Sequence, residues 1–245
     1  MTDVEAGTRG SLGTVRNAVA LLHLLAEGPA HHQLTDLAER SGLSLPTVHR
    51  LLRSLSLAGL VEQDSRSARY GLGPELVRLS QRYLGRLPVL AAISPYLMPV
   101  RDVLGVSVHV VLHTRGWATY VDRAEGTDGS LYREPHRVAP ALRTAPGRLL
   151  AARSDDASWE LALAQVTDEE RAEAIAGRPS WQHAPHLALP DPDGGAVEVA
   201  VPILDLTGEA SAALVASVTD DDGVRKAVTH LSRAAQAAGR TLGHG

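Results

Sequence analysis

Apolar residues in the first part of the chain recur at spacings of three and four, the period of a helix with one buried face. The first predicted helix has a stripe of Val15, Ala18, Val19, Leu22, Leu25 and Ala26. A second, shorter helix is expected from Leu34, and Gly42 after it can adopt the positive φ of a tight turn. A third helix is expected after Ser44, which is placed to cap it, with Pro46 in its first turn. Its apolar stripe consists of Val48, Leu51, Leu52 and Leu55.

Two segments that favour strands follow the third helix, Leu60 to Asp64 and Ala68 to Gly73. Residues 65–67 lie between them, so the pattern predicts a hairpin with these residues at its tip. Helix, helix, turn, helix and hairpin in this order indicate a winged helix-turn-helix domain over residues 14–73, after a disordered segment over residues 1–13. In such a domain the helix after the turn, the recognition helix, fits the major groove of DNA, and the hairpin forms the wing.

The polar side of the recognition helix and the wing supply the candidate DNA contacts. These are Thr35, Ser44, Pro46, Thr47, His49, Arg50 and Arg53 in the helix-turn-helix, with Arg66 and Arg69 in the wing. Arginine either binds guanine with two hydrogen bonds or clamps phosphates, and the sequence leaves both roles open. Residues 1–73 carry seven arginines and seven acidic residues, so DNA binding requires the basic side chains to share one face. The alternative is an ordinary solvated helix face.

Beyond the wing, the pattern first predicts helices and then alternates between strands and helices. A linker helix is expected over residues 74–87, and a second helix over residues 89–104, kinked or split by Pro95 and Pro99. Strands are predicted over residues 106–113, 117–124, 130–138, 181–189, 197–204 and 210–218. Helices are predicted over residues 144–153, 157–165, 168–177 and 225–242, with Thr167 and Glu170 as a capping box. Residues 88–245 therefore predict an α+β domain, with one antiparallel sheet and helices on one side that leave a concave face for a ligand.

Composition and the lack of certain motifs argue against several other classes of site. The 245 residues include no cysteine, so neither a disulfide nor a thiolate metal site is possible, and we expect a cytoplasmic protein without a membrane partner because no run of about 18 apolar residues occurs. His109 and His113 would stand about 13 Å apart on the predicted strand, too far to share an ion, so no metal or other cofactor is expected. No G-x-S-x-G, P-loop or G-x-G-x-x-G motif marks a catalytic site.

The amino-acid sequences of several segments resemble those of one known family. The segments VRNAVALLHLLAEGP, LTDLAERSGLSLPTVHRLLRSLSLAGLVEQD and RYGLGPELVRL are similar to the DNA-binding domain of IclR-type (isocitrate lyase regulator) transcription factors. RVAPALRTAPGRLLAA resembles the motif that opens the pocket of that family's effector domain, which has a GAF-like fold. VEVAVPILDLTGEASAALVASV and residues 225–242 resemble its last two strands and closing helix. The resemblance covers nearly the whole chain.

The resemblance implies a regulator whose homodimer, or dimer of dimers, binds a palindromic operator in double-stranded DNA. A small-molecule effector in the second domain would then change the affinity for DNA. The effector contacts that it implies are Thr144, Ala145, Gly147, Asp191, Glu198 and Ser217. A helix that begins after Thr144 presents free N–H groups, which bind the carboxylates of small organic acids.

Two departures from the family pattern bear on that effector. Glu198 stands where the family often has cysteine, and a carboxylate there would repel an anionic ligand unless it is protonated or turned away. The segment before it, residues 189–195, is shorter than in the family, and an acidic residue that the family often carries there has no clear counterpart, Asp191 being the nearest candidate. The sequence therefore leaves open a neutral effector, a cationic effector or none. Two other functions also remain open: an enzyme that uses Glu198 and Asp191, and a structural protein whose winged domain only dimerises.

Overall fold

The computed structural model describes residues 3–126, 137–190 and 195–242, with side chains from Gly13 onward. The chain divides into two compact units, residues 1–83 and 84–245, and each is described by itself. The first unit contains α1 (Asp3–Ala26), α2 (Leu34–Ser41), α3 (Leu45–Leu57), β1 (Val61–Gln63), β2 (Tyr70–Leu72) and α4 (Glu75–Leu84), which ends at the division. Strands β1 and β2 form an antiparallel hairpin, and the winged helix-turn-helix order matches the prediction.

One prediction for the first helix was wrong. Helix α1 spans Asp3–Ala26, and the disorder expected over residues 1–13 stays a prediction. The buried side of α1 is rotated from the predicted stripe, since Leu21 is fully buried while Val15 is 63% exposed. Leu21 packs with the apolar residues of α2 and α3, and that contact rather than the local period decides which side is buried.

The core of the first unit holds the helix-turn-helix together. The buried residues of α3 are Val48, Leu51, Leu52 and Leu55, the stripe that the sequence predicts. They pack with Leu37 of α2 and with Val61 and Tyr70 of the hairpin. Gly42 ends α2 with φ of 67°, the left-handed conformation expected of the turn glycine. The recognition helix is thus anchored along one side by three neighbouring elements.

The second unit is built on a sheet. Its elements are α5 (Pro88–Leu104), β3 (Val108–Thr114), β4 (Trp117–Ala124), β5 (Val138–Pro140), α6 (Ala145–Arg153), α7 (Asp156–Leu163), α8 (Asp168–His183), β6 (Leu187–Pro190), β7 (Val197–Leu204), β8 (Ala210–Val218) and α9 (Asp221–Leu242). Among the described residues, the strands lie in the order β5-β4-β3-β8-β7-β6, and each pair of neighbours is antiparallel.

Helices cover both faces of this sheet, which corrects the prediction of helices on one side only. Helices α5 and α9 pack on one face, where Ile93 and Leu231 join the core with Val110 and Leu214. Helix α6 packs on the other face, where Leu149 meets Val111, Ala200 and Val215. Six consecutive residues of β7 are buried, the pattern of a strand that is covered on both sides.

Three smaller predictions differ from the structure. The strand predicted over residues 181–189 was wrong, because α8 continues to His183 and β6 begins only at Leu187. Trp181 lies on α8 and packs against Arg148, so its aromatic character reflects burial rather than a strand. Helix α5 runs through Pro95 and Pro99 without a split. The strand predicted over residues 130–138 lies mostly outside the described residues.

Among the described residues, no single helix is long and apolar enough to cross a membrane. No group of three or more histidine, aspartate or glutamate residues in the described ranges is arranged to hold a metal ion.

Candidate nucleic-acid interface and ligand pocket

Helix α3 presents a polar face opposite its buried stripe. Pro46, His49, Arg50 and Arg53 are exposed on it, and Thr47 is half-buried. Ser44 occupies the N-cap position with φ of −65° and ψ of 144°, but its hydroxyl does not cap a backbone N–H as predicted. The Ser44 carbonyl already accepts the N–H groups of Thr47 and Val48. The Ser44 hydroxyl instead lies 2.8 Å from the Thr47 hydroxyl, and both are at the exposed start of the helix.

The four arginines of this region share one property. Among the described residues, no ion pair involves Arg50, Arg53, Arg66 or Arg69, and all four are exposed. Arginines elsewhere are commonly paired, as in the 2.7 Å contact between Arg143 and Glu170. An exposed guanidinium without an acidic partner is free to bind a phosphate or a base edge, because no internal ion pair has to be broken first.

A groove runs between the recognition helix and the wing. It is lined by His49, Arg53, Ser56, Gln63 and Tyr70. The Ser56 hydroxyl is buried without a hydrogen-bond partner among the described residues. The groove therefore joins donors from α3 to donors from the hairpin. Thr35 lies apart from it, exposed in the first turn of α2.

The tip of the wing is held by Asp64. Its carboxylate accepts the Arg66 N–H at 3.0 Å, the Ser67 N–H at 3.3 Å and the Ser67 hydroxyl at 2.5 Å. The Ser67 hydroxyl is the main cause that lowers the pKa of Asp64 below its ordinary value, followed by the Arg66 N–H. Ala68 takes a left-handed φ of 55° at the end of the turn. The turn that carries Arg66 is thus defined by hydrogen bonds within the protein.

In the second unit, the residues predicted to bind an effector lie at the start of α6. Thr144 is the N-cap of α6, and its hydroxyl accepts the Gly147 N–H at 3.1 Å. Gly147 allows close packing, since a methyl group there would overlap the carbonyl of Ala141. Its lack of a side chain is therefore explained by the fold without a ligand.

Glu198 lies against the same helix end. One carboxylate oxygen accepts the Ala145 N–H at 2.8 Å, and the other accepts the Tyr120 hydroxyl at 2.6 Å. The guanidinium of Arg137 is 3.7 Å from the second oxygen. Glu198 is only 6% exposed, so this carboxylate is held by donors inside the protein. It neither turns away from the start of α6 nor lacks partners.

The surroundings of Glu198 include residues that sequence reasoning missed. Arg137 lies 5.3 Å from the centre of the Tyr120 ring, and His109 meets that ring edge-on at 5.7 Å. Ser217 is opposite Glu198 in the β7–β8 register, so both belong to the same face of the sheet. No local motif marks Tyr120 or Arg137, because strand pairing and sheet curvature bring them together. Asp191 lies outside the described residues.

Comparison with known proteins identifies the family. Residues 14–65 match the model of the IclR helix-turn-helix domain. The glycerol operon regulatory protein of Streptomyces coelicolor is 32% identical over 237 residues, which cover 86% of this chain and 93% of that protein. An IclR transcriptional regulator from Alicyclobacillus acidocaldarius has a similar structure, with a TM-score of 0.73 and 25% identity over 94% of this chain and 99% of its own.

A second similar structure contains a ligand. It is an IclR homologue from Microbacterium hydrocarbonoxydans complexed with 4-hydroxybenzoate, with a TM-score of 0.68 and 20% identity over 94% of this chain and 98% of its own. At this identity the likeness concerns the fold. The helix-turn-helix match and the near full-length relative together establish that the chain belongs to the IclR family of DNA-binding transcriptional regulators.

Proposed function

We propose that α3 and the wing bind an operator through the face formed by Arg50, Arg53, Arg66 and Arg69. The observation that supports this most strongly is the contrast across α3: leucines anchor one side, and the exposed side carries arginines without acidic partners in the described chain. Arg50 and Arg53 project from the helix that enters the major groove in domains of this kind. Arg66 and Arg69 are placed to reach phosphates or a minor groove.

The remaining candidate contacts have a secondary role in this proposal. Ser44 and Thr47 lie at the start of the recognition helix, where their hydroxyl groups can bind phosphates, and Pro46 beside them offers only an apolar contact. Thr35 at the start of α2 offers a further phosphate contact, and His49 shares the groove with Arg53. These groups fix the position of the helix on the duplex, whereas base specificity comes from the arginines.

We propose a homodimer as the binding unit. The first unit exposes large apolar side chains on two helices, with Val15 and Val19 on α1 and Val77, Leu79 and Tyr83 on α4. Exposed apolar side chains concentrated on two helices are typical of a surface that another protein covers. A neutral DNA-binding domain also gains from pairing, because two half-sites bound together raise the overall affinity. Such a dimer binds a palindromic operator, and a dimer of dimers would bind two.

We further propose that a small molecule in the second unit modulates operator binding. The site at the start of α6 groups His109, Tyr120, Arg137 and Glu198 on one face of the sheet. The homologue complexed with 4-hydroxybenzoate has a similar fold, which supports a small-molecule ligand for this protein. The enzyme alternative rested on Glu198 and Asp191, and no described observation favours it, since the Glu198 carboxylate already accepts two hydrogen bonds and pairs with Arg137.

Arg50→Ala tests the DNA proposal. Genomic footprinting with the wild-type protein at stated salt gives the operator, and gel-shift titration then gives Kd for each variant. Loss of one guanidinium contact to a base should weaken binding by about 1–3 kcal/mol, or roughly 5- to 150-fold.

The matched control is Arg225→Ala, because Arg225 is an exposed arginine of α9 that pairs with Asp222. It should leave the Kd for the operator unchanged. Equal Kd values for the wild type and Arg50→Ala, with circular dichroism showing intact helices, would contradict the role of Arg50. A wild-type protein that ignores every duplex at low salt would contradict operator binding altogether.

A further inference from the structure

The start of α6 has no free backbone donor. The Thr144 N–H donates to the Ala141 carbonyl at 3.1 Å, and the Gly147 N–H donates to the Thr144 hydroxyl at 3.1 Å. Pro146 has no N–H, and the Ala145 N–H donates to Glu198. The first N–H groups of a helix normally need partners from outside the helix, and here the chain supplies all of them. An external carboxylate would find this end of α6 already satisfied.

Glu198 holds the place that such a carboxylate would take. Its two oxygens lie between a helix N-terminus on one side and the Tyr120 hydroxyl on the other, at 2.8 Å and 2.6 Å. Arg137 adds a positive charge 3.7 Å away. A backbone N–H at a helix start, a hydroxyl and a guanidinium are the donors that bind a free carboxylate in proteins. Here that carboxylate reaches the site from strand β7.

We propose that Glu198 is an intramolecular ligand, which fills the anion subsite at the start of α6 and excludes carboxylate ligands from it. Two effects exclude a carboxylate ligand from this site: its donors are already engaged, and Glu198 is itself negatively charged. The donors of Ala145 and Tyr120 are engaged, and a second anion beside Glu198 would meet a like charge in a buried place. An effector of this protein therefore binds through groups other than a carboxylate at this end of α6. The assignment rests on the proposed function only in treating the start of α6 as part of the effector site.

Removing the Glu198 side chain should convert the excluded anion into a ligand. In Glu198→Ala the donors of Ala145, Tyr120 and Arg137 remain and the carboxylate is lost, which leaves room for formate. We expect formate to raise the Tm of Glu198→Ala saturably, on the order of a few degrees, beyond the effect of chloride at equal concentration. Formate should shift the Tm of the wild type no more than chloride does.

Glu170→Ala is the matched control. Glu170 is also a carboxylate that accepts a backbone N–H at a helix start, from Thr167 at 2.9 Å, and it also binds an arginine. It lies on the surface, so its removal should lower the Tm without creating a formate site. A formate response in Glu170→Ala equal to that of Glu198→Ala would indicate a general anion effect and overturn the proposal.

Two other outcomes would overturn it. One is a Glu198→Ala protein that gains nothing from formate beyond chloride. The other is saturable binding of formate or benzoate by the wild type that shifts the NMR resonance of the Ala145 amide. The wild-type titration decides the matter alone if Glu198→Ala fails to fold, because an unmoved Ala145 amide is then the expected result. Operator titrations on the same samples separate this outcome from the DNA proposal, since Glu198 can fill the subsite whether or not the protein binds DNA.

Discussion

The two units differ in the exposure and pairing of their charged side chains. In residues 1–83, the arginines of the recognition helix and the wing are exposed and lack acidic partners among the described residues. In residues 84–245, the carboxylate of Glu198 is buried and held by Tyr120, Ala145 and Arg137. A surface prepared for an outside partner leaves its hydrogen-bonding capacity unused. A pocket that has satisfied its own donors has less to offer a ligand of the same chemistry.

Among the variants considered, Leu52→Ala should have the largest effect, and it tests whether the exposed arginines of the first unit depend on the position of α3. Leu52 is fully buried behind the recognition helix, so the cavity left by its truncation should destabilise the first unit by about 3 kcal/mol. Displacement of α3 should also weaken operator binding. Urea unfolding followed by circular dichroism, with gel shift on the same sample, measures both effects.

Leu231→Ala is the control for that experiment. Leu231 is equally buried but lies on α9 in the core of the second unit. It should cost a similar free energy of unfolding while the folded protein keeps its Kd for the operator. If Leu52→Ala left operator binding intact, α3 would not be the helix that contacts DNA.

Tyr120→Phe tests how firmly the buried carboxylate of Glu198 is held in the second unit, and its expected effect on stability is smaller. The change removes the hydroxyl that donates to Glu198 at 2.6 Å and keeps the ring that contacts His109 and Arg137. Loss of a hydrogen bond to a carboxylate should lower the free energy of unfolding by about 1.5–3 kcal/mol. Chemical denaturation measures it, and operator affinity should not change. A Tyr120→Phe protein as stable as the wild type would indicate that the Tyr120 hydroxyl does not hold Glu198.

Glu170→Gln gives the smallest effect and compares a surface carboxylate with Glu198. The Arg143 guanidinium, helped by the Thr167 N–H, lowers the pKa of Glu170 from 4.5 to about 2. Because the folded-state pKa is the lower one, this contribution to stability is present above pH 4.5 and is lost as the pH falls toward 2. Glu170→Gln should therefore lose stability less steeply than the wild type over that range.

The control for the acid titration is Glu160→Gln, at an exposed glutamate of α7 that forms no ion pair among the described residues. Its stability should follow the wild-type pH dependence. Stability is measured by urea unfolding at each pH. Parallel curves for Glu170→Gln and the wild type would show that the pair with Arg143 contributes nothing in solution, as many surface ion pairs do.

The predictions that succeeded depend on contacts close in sequence. The stripe of α3, the turn at Gly42 and the capping box of Thr167 and Glu170 each arise within a few residues. Strands β7 and β8 span the predicted ranges, 197–204 and 210–218, because their apolar runs are bounded by turn residues. Local chemistry is enough to place such elements.

The failures arise where distant segments decide the outcome. Tyr120 and Glu198 are 78 positions apart in the sequence, so no local motif indicates that the Tyr120 hydroxyl donates a hydrogen bond to Glu198. The period of α1 places Val15 in the predicted stripe, but packing against α2 and α3 buries Leu21 instead. The aromatic side chain of Trp181 favours a strand in the sequence, whereas in the structure Trp181 packs against Arg148 of α6 and is buried with neighbours on α6 and α8. Sheet order and helix packing carry information that a single window of sequence does not contain.

The hydrogen bonds of Asp64 have a consequence for how tightly the wing can bind in the proposed DNA complex. A loop that is shapeless in the free protein must lose conformational entropy on contact, and that loss weakens the complex. Here the carboxylate of Asp64 fixes the backbone of Arg66 and Ser67 beforehand. In the proposed complex the turn needs little further ordering, so less of the wing's binding free energy is lost to conformational entropy than with a disordered loop.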